Sequence, residues 1–306
     1  MNSKHDVVII GGGPVGLSCA YYLLKSGRKV TLLDAKEIGK GSGSGNAGHI
    51  VPSHIIPLAA PGVVTSALKW MLDPARSPFG MKVSLDPNYL MWLLKFVLAC
   101  SESNVQKNLQ PLNDIGELSA KIFAQIVAEE NFYCSYQEQG LLFLYKTEKA
   151  FHDGQHEGDF MQKHGIPVSV YEKAKIHEVE PAAVDDVIGG VHFTGDAHLN
   201  PAVFLNLLKE RVKSMGAELM DGTQVTGFES ANGKITKVKT SAGDLEAEQI
   251  VLAAGALTPI AAKDLKLNIP IQPARGYSMT MSATKTMPSH ALILGERRIA
   301  VSPMAG

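Results

Sequence analysis

The segment Asp6-Val7-Val8-Ile9-Ile10-Gly11-Gly12-Gly13-Pro14-Val15-Gly16-Leu17 constrains this chain more than any other stretch. An apolar run stops at glycines and an amphipathic pattern begins at once, which predicts a buried strand, a tight turn and a helix. Gly11, Gly13 and Gly16 have the G-x-G-x-x-G spacing that holds a dinucleotide pyrophosphate. The first glycine permits the turn, the second lets phosphate approach the backbone, and the third lets the helix lie close to the strand. Gly12, Pro14 and Val15 complete the rim, where free helical N–H groups and a positive dipole end would meet the anion.

A lone glycine motif is weak evidence, and an ordinary βαβ unit with a chance glycine cluster is the alternative. The following residues decide between them. Val15, Leu17, Cys19, Ala20, Leu23 and Leu24 form a helical stripe that Gly27 ends, and Val30-Thr31-Leu32-Leu33 reads as a second buried strand. Asp34, followed by Ala35, then puts a carboxylate about twenty residues beyond the turn, where adenosine ribose hydroxyls would lie.

With 306 residues the chain has enough length for two domains. Lys and Arg number 29 and Asp and Glu 30, a formal charge of −1, so no global field attracts nucleic acid or anionic lipid. Cys19, Cys100 and Cys134 are widely spaced and make no metal-ligand pattern; no metal is expected. This usage fits a reduced cytoplasmic setting. The apolar run Val7–Ile10 is too short for a signal-peptide core, and no span reaches the roughly 18–20 residues that cross a bilayer. The longest candidate, Tyr89 to Cys100, is interrupted by Lys95 and is read as a core helix, with peripheral contact to the inner face of the membrane as the alternative.

The run Gly39-Lys40-Gly41-Ser42-Gly43-Ser44-Gly45-Asn46-Ala47-Gly48-His49 has the composition of a flexible linker. Its place after the second strand suggests another use: small residues let backbone N–H groups and hydroxyls approach a flat, phosphate-bearing cofactor. Together with Gly11 to Leu17 and Asp34, the run Ser44 to His49 resembles the FAD-dependent amine and D-amino-acid oxidoreductase family. From Asn46 through Pro52 to Ala59-Ala60-Pro61-Gly62 it is similar to the bacterial D-amino-acid dehydrogenase branch, although Gly43 and Gly45 replace bulkier residues of the family's lead.

The resemblance implies an α/β fold: a Rossmann-type FAD-binding domain with a parallel sheet and β-meander, plus an α+β substrate domain with a mostly antiparallel sheet. The expected division is 1–88 with 196–265 for FAD, and 89–195 with 266–306 for substrate. Within that frame Thr65–Leu72, Asp114–Asn131 and Glu148–His164 read as helices, and Gly140–Tyr145 and Ile188–Thr194 as strands. Ile115, Leu118, Ile122 and Ile126 should share one face, with Phe123 and Val127 beside them. Asn200-Pro201 opens a further helix that Gly216 stops. Three short strands, 224–229, 235–240 and 245–247, are joined at Asn232-Gly233 and Ala242-Gly243-Asp244, and a separate buried strand, Gln249 to Ala256, follows.

The resemblance places Val225 near the adenine and the small residues Ala253, Ala254 and Gly255 against the cofactor, with Ser42, Ser44, Asn46, Ala47, Gly48 and His49 along the loop. Amine oxidation asks the protein mainly for orientation, with a cation for the carboxylate and an apolar wall. Arg275 and Tyr277 alternate along an expected strand and would face one side together, as carboxylate clamp and as wall or hydrogen-bond donor. A solvated Arg275 is the alternative. His49 would lie near the flavin ring or serve as an ordinary hydrogen-bonded histidine. Met304 stands where the glycine-oxidase branch carries an arginine after proline, which weighs against glycine or sarcosine as substrate.

The implied reaction is oxidation of D-amino acids to imino acids, with electrons passing to a quinone or carrier. The same chemistry on a cyclic secondary amine such as D-proline or a hydroxyproline is the close alternative. A nicotinamide-dependent dehydrogenase and a non-catalytic nucleotide-binding fragment are the rivals from other classes. The resembled family continues past the position of Gly306 into a glycine-rich segment and helix, so the expectation is a site open on one side and weakly held FAD.

Overall fold

In the computed structural model, residues 5–72, 80, 84–283 and 285–304 are described. The chain opens with β1 (His5–Ile10), α1 (Pro14–Lys25), β2 (Val30–Leu33) and the two-residue β3 (His49–Ile50). Helices α2 (Val63–Leu72), α3 (Pro87–Ala99) and α4 (Glu102–Glu129) follow, then β4 (Leu141–Tyr145), α5 (Glu148–Lys163), β5 (Val168–Glu172) and α6 (Lys173–Val179). Next come β6 (Gly189–Phe193), β7 (Ala197–His198), α7 (Pro201–Ser214), β8 (Glu218–Met220), β9 (Val225–Ala231), β10 (Lys234–Thr240) and β11 (Leu245–Leu252). A short α8 (Thr258–Ala261) precedes β12 (Ala291–Leu294) and β13 (Ile299–Val301). Lys4, Ala305, Gly306 and part of the expected crossing between Pro57 and Pro87 lie outside the described residues.

Two compact units result: Met1–Asn46 with Pro201–Ser278, and Ala47–Asn200 with Met279–Gly306. The boundaries differ from those expected, because residues 47–88 and 196–200 fall in the second unit and 266–278 in the first. The reason is visible at β3, which pairs with β7 at His49↔His198 and Ile50↔Ala197. That ladder, and the bonds from Ser53 to Asp196, tie the chain after Asn46 to the second unit.

The first unit is a six-stranded sheet in the order β8-β2-β1-β11-β10-β9. Strands β8, β2, β1 and β11 run parallel, and β11-β10-β9 is an antiparallel meander. Sequence reading separated the last meander strand from the strand that follows; the structure makes them one. The first half of β11 pairs with β10 and its remainder with β1, and polar Glu246, Glu248 and Gln249 broke the apolar run that would have revealed its length. Val7, Val8, Ile9 and Ile10 are buried on both faces, as a central parallel strand requires.

The second unit holds a five-stranded sheet, β13-β12-β4-β6-β5, antiparallel except between β12 and β4. Period-two alternation sorts its core into two clusters. Leu142 and Leu144 pack with Ile176, Val187 and Leu292, whereas Tyr145, Val191 and Phe193 pack with Phe151 and Met161 of α5 and Val105 and Leu109 of α4. Strands β5 and β12 were not legible in the sequence, being short and without turn signals at both ends.

Two helices depart from expectation. Helix α4 begins at Glu102, well before Asp114, capped by Ser101 Oγ accepting from the Asn104 N–H and carrying Pro111 within it. Proline and a polar first half concealed those turns. Along its apolar face Ile126 is buried, whereas Ile115 and Leu118 are exposed. Helix α3, read as a core helix, has no buried residue, and Leu98 is 70% exposed. Its rings stack along the helix instead, Tyr89 on Trp92 at 6.3 Å and Trp92 on Phe96 at 5.4 Å. An apolar run specifies a helix but not a neighbour to cover it. Among the described residues no helix is long and apolar enough to cross a membrane.

Candidate dinucleotide site

Two of the three motif glycines, Gly11 and Gly16, occupy places that a side chain could not share. Gly11 has φ +110°, and a Cβ there would stand 2.4 Å from the Ala253 carbonyl oxygen. A Cβ on Gly16 would lie 1.8 Å from the Gly11 carbonyl oxygen, so this glycine sets how closely α1 approaches β1. Around Gly13 the space is open. Gly13 is also the N-cap of α1 and supplies no side-chain cap, while Val15 is 63% exposed. The helix start therefore presents uncapped N–H groups beside an open backbone, a cradle that fits a pyrophosphate.

Asp34 fixes this turn from behind. Its Oδ2 accepts from the Gly12 N–H at 2.8 Å and its Oδ1 from the Lys36 N–H at 2.8 Å. Each oxygen keeps a lone pair, which suits ribose hydroxyls. The glycine-rich loop folds onto the same turn: the Gly39 N–H donates to the Gly12 carbonyl at 2.9 Å, and a Cβ on Gly43 would lie 2.6 Å from Pro14 Cδ. Within the loop, Ser44 Oγ donates to the Gly41 carbonyl at 2.9 Å and Asn46 Nδ2 to the Gly43 carbonyl at 3.0 Å. Ala35 and Ser42 are exposed. On the far side the Ala253 N–H donates to the Ile10 carbonyl at 2.8 Å, which sets Ala253 and Ala254 beside Gly11, with Gly255 next in the chain. The Thr223 N–H donates to the Asp34 carbonyl at 2.8 Å, leading into Val225 at the start of β9. The first unit thus brings Asp34, Gly39 and Gly43 on one side, and Ala253 and Ala254 on the other, to the turn at residues 11–16.

Ala47, Gly48 and His49 belong to the second unit. There the Gly48 carbonyl accepts from the Leu199 N–H at 3.0 Å, and His49 Nε2 lies 2.9 Å from Ser302 Oγ, which donates to the Ala47 carbonyl at 2.5 Å. Burial pushes the His49 imidazole down to about 4, and the facing His198 adds to the effect. At physiological pH His49 is neutral.

Sequence reasoning missed a buried acid of this unit, Asp196. Asp196 Oδ2 accepts from Ser53 Oγ at 2.7 Å and its Oδ1 from the Ser53 N–H at 3.1 Å. Burial pushes its carboxyl up to about 6, against the two bonds from Ser53. A cavity of about 150 Å³ adjoins it, lined also by Glu117, Ile166 and Pro167. The Asp-Ala-His-Leu-Asn-Pro run identified a change of direction in the chain, but nothing local signalled that its first residue would be buried.

Arg275 and Tyr277 are not on a strand. Residues 267–283 form no ladder among the described residues, both side chains are exposed, and Tyr277 is 92% exposed. Pro270, Pro273 and Gly276 interrupt the alternation that the strand reading relied on. The two residues lie in the first unit and His49 in the second.

Comparison with known proteins agrees with this geometry. The family model described as "FAD dependent oxidoreductase" (DAO) matches residues 6–306. The chain belongs to the DAO family. A D-amino acid dehydrogenase of Granulibacter bethesdensis is 31% identical over 91% of this chain and 67% of that protein. One from Helicobacter pylori is 32% identical over 98% of this chain and 72% of its own length. Among solved structures, glycine oxidase from Bacillus cereus superposes with a TM-score of 0.62 at 22% identity over 85% of this chain. L-proline dehydrogenase from P. horikoshii gives 0.57 at 22% identity over 88%. The chain spans 58% of the length of each of these two structures. The DAO family is FAD-dependent, which removes the support for a nicotinamide enzyme.

Proposed function

We propose that this chain oxidises the Cα–N bond of D-amino acids to imino acids, which water hydrolyses to 2-oxo acids. The observation that carries this reading is the match, over nearly the whole chain, to relatives named D-amino acid dehydrogenase. Bound flavin would accept the hydride from the substrate carbon. Gly11, Gly12, Gly13, Pro14, Val15 and Gly16 would hold the pyrophosphate, Asp34 and Ala35 the ribose, and Val225 the adenine side. Ser42, Ser44, Asn46, Ala47, Gly48, Ala253, Ala254 and Gly255 would line the rest of its path. His49, kept neutral by burial, would hold its loop through Ser302 beside the flavin ring. Arg275 would clamp the substrate carboxylate and Tyr277 would wall the substrate.

Anaerobic mixing of the FAD-loaded protein with D-alanine, D-proline, hydroxyproline isomers and sarcosine tests the proposal. D-Amino acids should bleach the flavin, with sarcosine the slowest. No bleaching by any D-amino acid would overturn it. Electrons would leave to a quinone or carrier in a cytoplasmic protein that touches the inner membrane face through α3. That helix exposes Leu90, Met91, Leu94 and Leu98, and its one charge is Lys95. Leu94→Glu with Leu98→Glu should abolish co-sedimentation with lipid vesicles and leave the bleaching rate unchanged.

A further inference from the structure

A loop with glycine at 39, 41, 43 and 45 has no conformation of its own, because each glycine multiplies the states it can adopt. Something outside the loop must choose one. Asp34 holds the turn from the strand side, but it reaches only Gly12 and Lys36. The next residues are held by a second carboxylate, since Asp221 Oδ1, just beyond β8, accepts from the Ile38 N–H at 2.6 Å. Ile38 is itself buried against Gly12, where a Cβ would stand 2.7 Å from its Cγ1. Fixing the Ile38 amide therefore fixes the floor beneath Gly12, between the first two glycines of the motif.

Helix α7 completes this support from below, with two residues four apart on one face. Leu205 is buried, with its Cδ1 3.4 Å from a Cβ built on Gly43 and its carbonyl oxygen 3.8 Å from one built on Gly39. One turn on, Lys209 Nζ lies 3.6 Å from Asp221 Oδ2 and 3.9 Å from Glu37 Oε1, with its side chain only 15% exposed. The cation thus joins the carboxylate that holds Ile38 to the residue that precedes it.

We infer that Asp221 and Lys209 are positioning residues for the FAD site: through Ile38 they set the shape of residues 36–43 before the cofactor arrives. Neither needs to touch FAD. Their contribution is preorganisation, since a loop already in its bound shape loses less entropy on binding.

The test measures FAD and ADP affinity of the full chain by titration calorimetry, with amide hydrogen exchange and Tm of the apo protein. Asp221→Ala should speed exchange at Ile38 and Gly39 and weaken FAD and ADP alike by about ten-fold. Lys209→Met should weaken both by roughly three-fold, and Lys209→Arg should restore most of that loss. Asp221→Asn, which keeps an acceptor for the Ile38 amide, guards against misfolding of the alanine variant and should fall between the two. A purely structural pair would lower the apo Tm but leave the affinity of the folded molecules unchanged, and that result overturns the inference. Wild-type protein that binds neither FAD nor ADP would overturn the cofactor site itself, a separate outcome from variants that bind as tightly as wild type.

Discussion

Residues 36–46 and residues 267–283 look alike as sequence: glycines break up the first, two prolines and a glycine the second, and both carry proposed site residues. In the structure they are opposites. The first stretch is held by Asp34, Asp221, the Gly12 carbonyl and Leu205, so that a loop without regular structure has one shape. The second has no ladder, and Tyr277, Met279 and Met281 are each more than 70% exposed. A motif's residue types are thus separate from the contacts that make them a site. Spacing can announce the first, while only tertiary neighbours supply the second.

The sharpest break in this contrast is Gly16→Ala. A methyl group would collide with the Gly11 carbonyl, and the helix cannot retreat without leaving β1, so stability should drop by about 3 kcal/mol or more in chemical denaturation. Asp34→Ala comes next. Removing it strands the Gly12 and Lys36 amides, at a cost of about 2 kcal/mol, and FAD affinity should fall with it in calorimetry. At the other extreme, Arg275→Ala and Tyr277→Ala should change stability by less than about 0.5 kcal/mol, because exposed side chains lose little on truncation. Arg275→Ala should still raise the apparent KM for carboxylate substrates. An unchanged KM would leave Arg275 a solvated residue.

Acid titration separates two buried groups of the second unit by sign. His49 has a folded value of about 4, below its ordinary 6.5, so its neutral burial costs stability progressively as pH falls from 6.5 through 4. Asp196 is the reverse: with a folded value of about 6 against 3.8, the penalty for its ionised form fades as pH falls through 6. Tm followed from about pH 7 to pH 4 should therefore decline less in His49→Gln and more steeply in Asp196→Asn than in the parent chain.

Much of the first unit was legible because its constraints are local. Val7–Ile10, the three glycines, Val30–Leu33 and Asp34 all fall in one strand–helix–strand unit, and spacing records the demands of such a unit. Helix α7 announced itself the same way, through Pro201 and Gly216. What escaped depended on partners remote in sequence. Ser53 meets Asp196. Glu180 is wholly buried, accepting from the Ser289 and His290 amides. Nothing near Ser53 or Glu180 in the chain predicts those meetings. Helix α3 failed in the other direction, since an apolar pattern records a tendency to be covered and not the identity of the cover.

Because β11 is one continuous strand, the surface hairpin around Gly243 and the residues beside the first glycine turn are mechanically the same object. Lengthening or shortening the 241–244 turn would slide the strand along β1 and carry Ala253 past Gly11, or else force the slack into the bulges of β9 and β10. Those irregularities, at Ile235/Lys237 and Lys239/Thr240, sit in the outer ribbon and not in the part of β11 that pairs with β1.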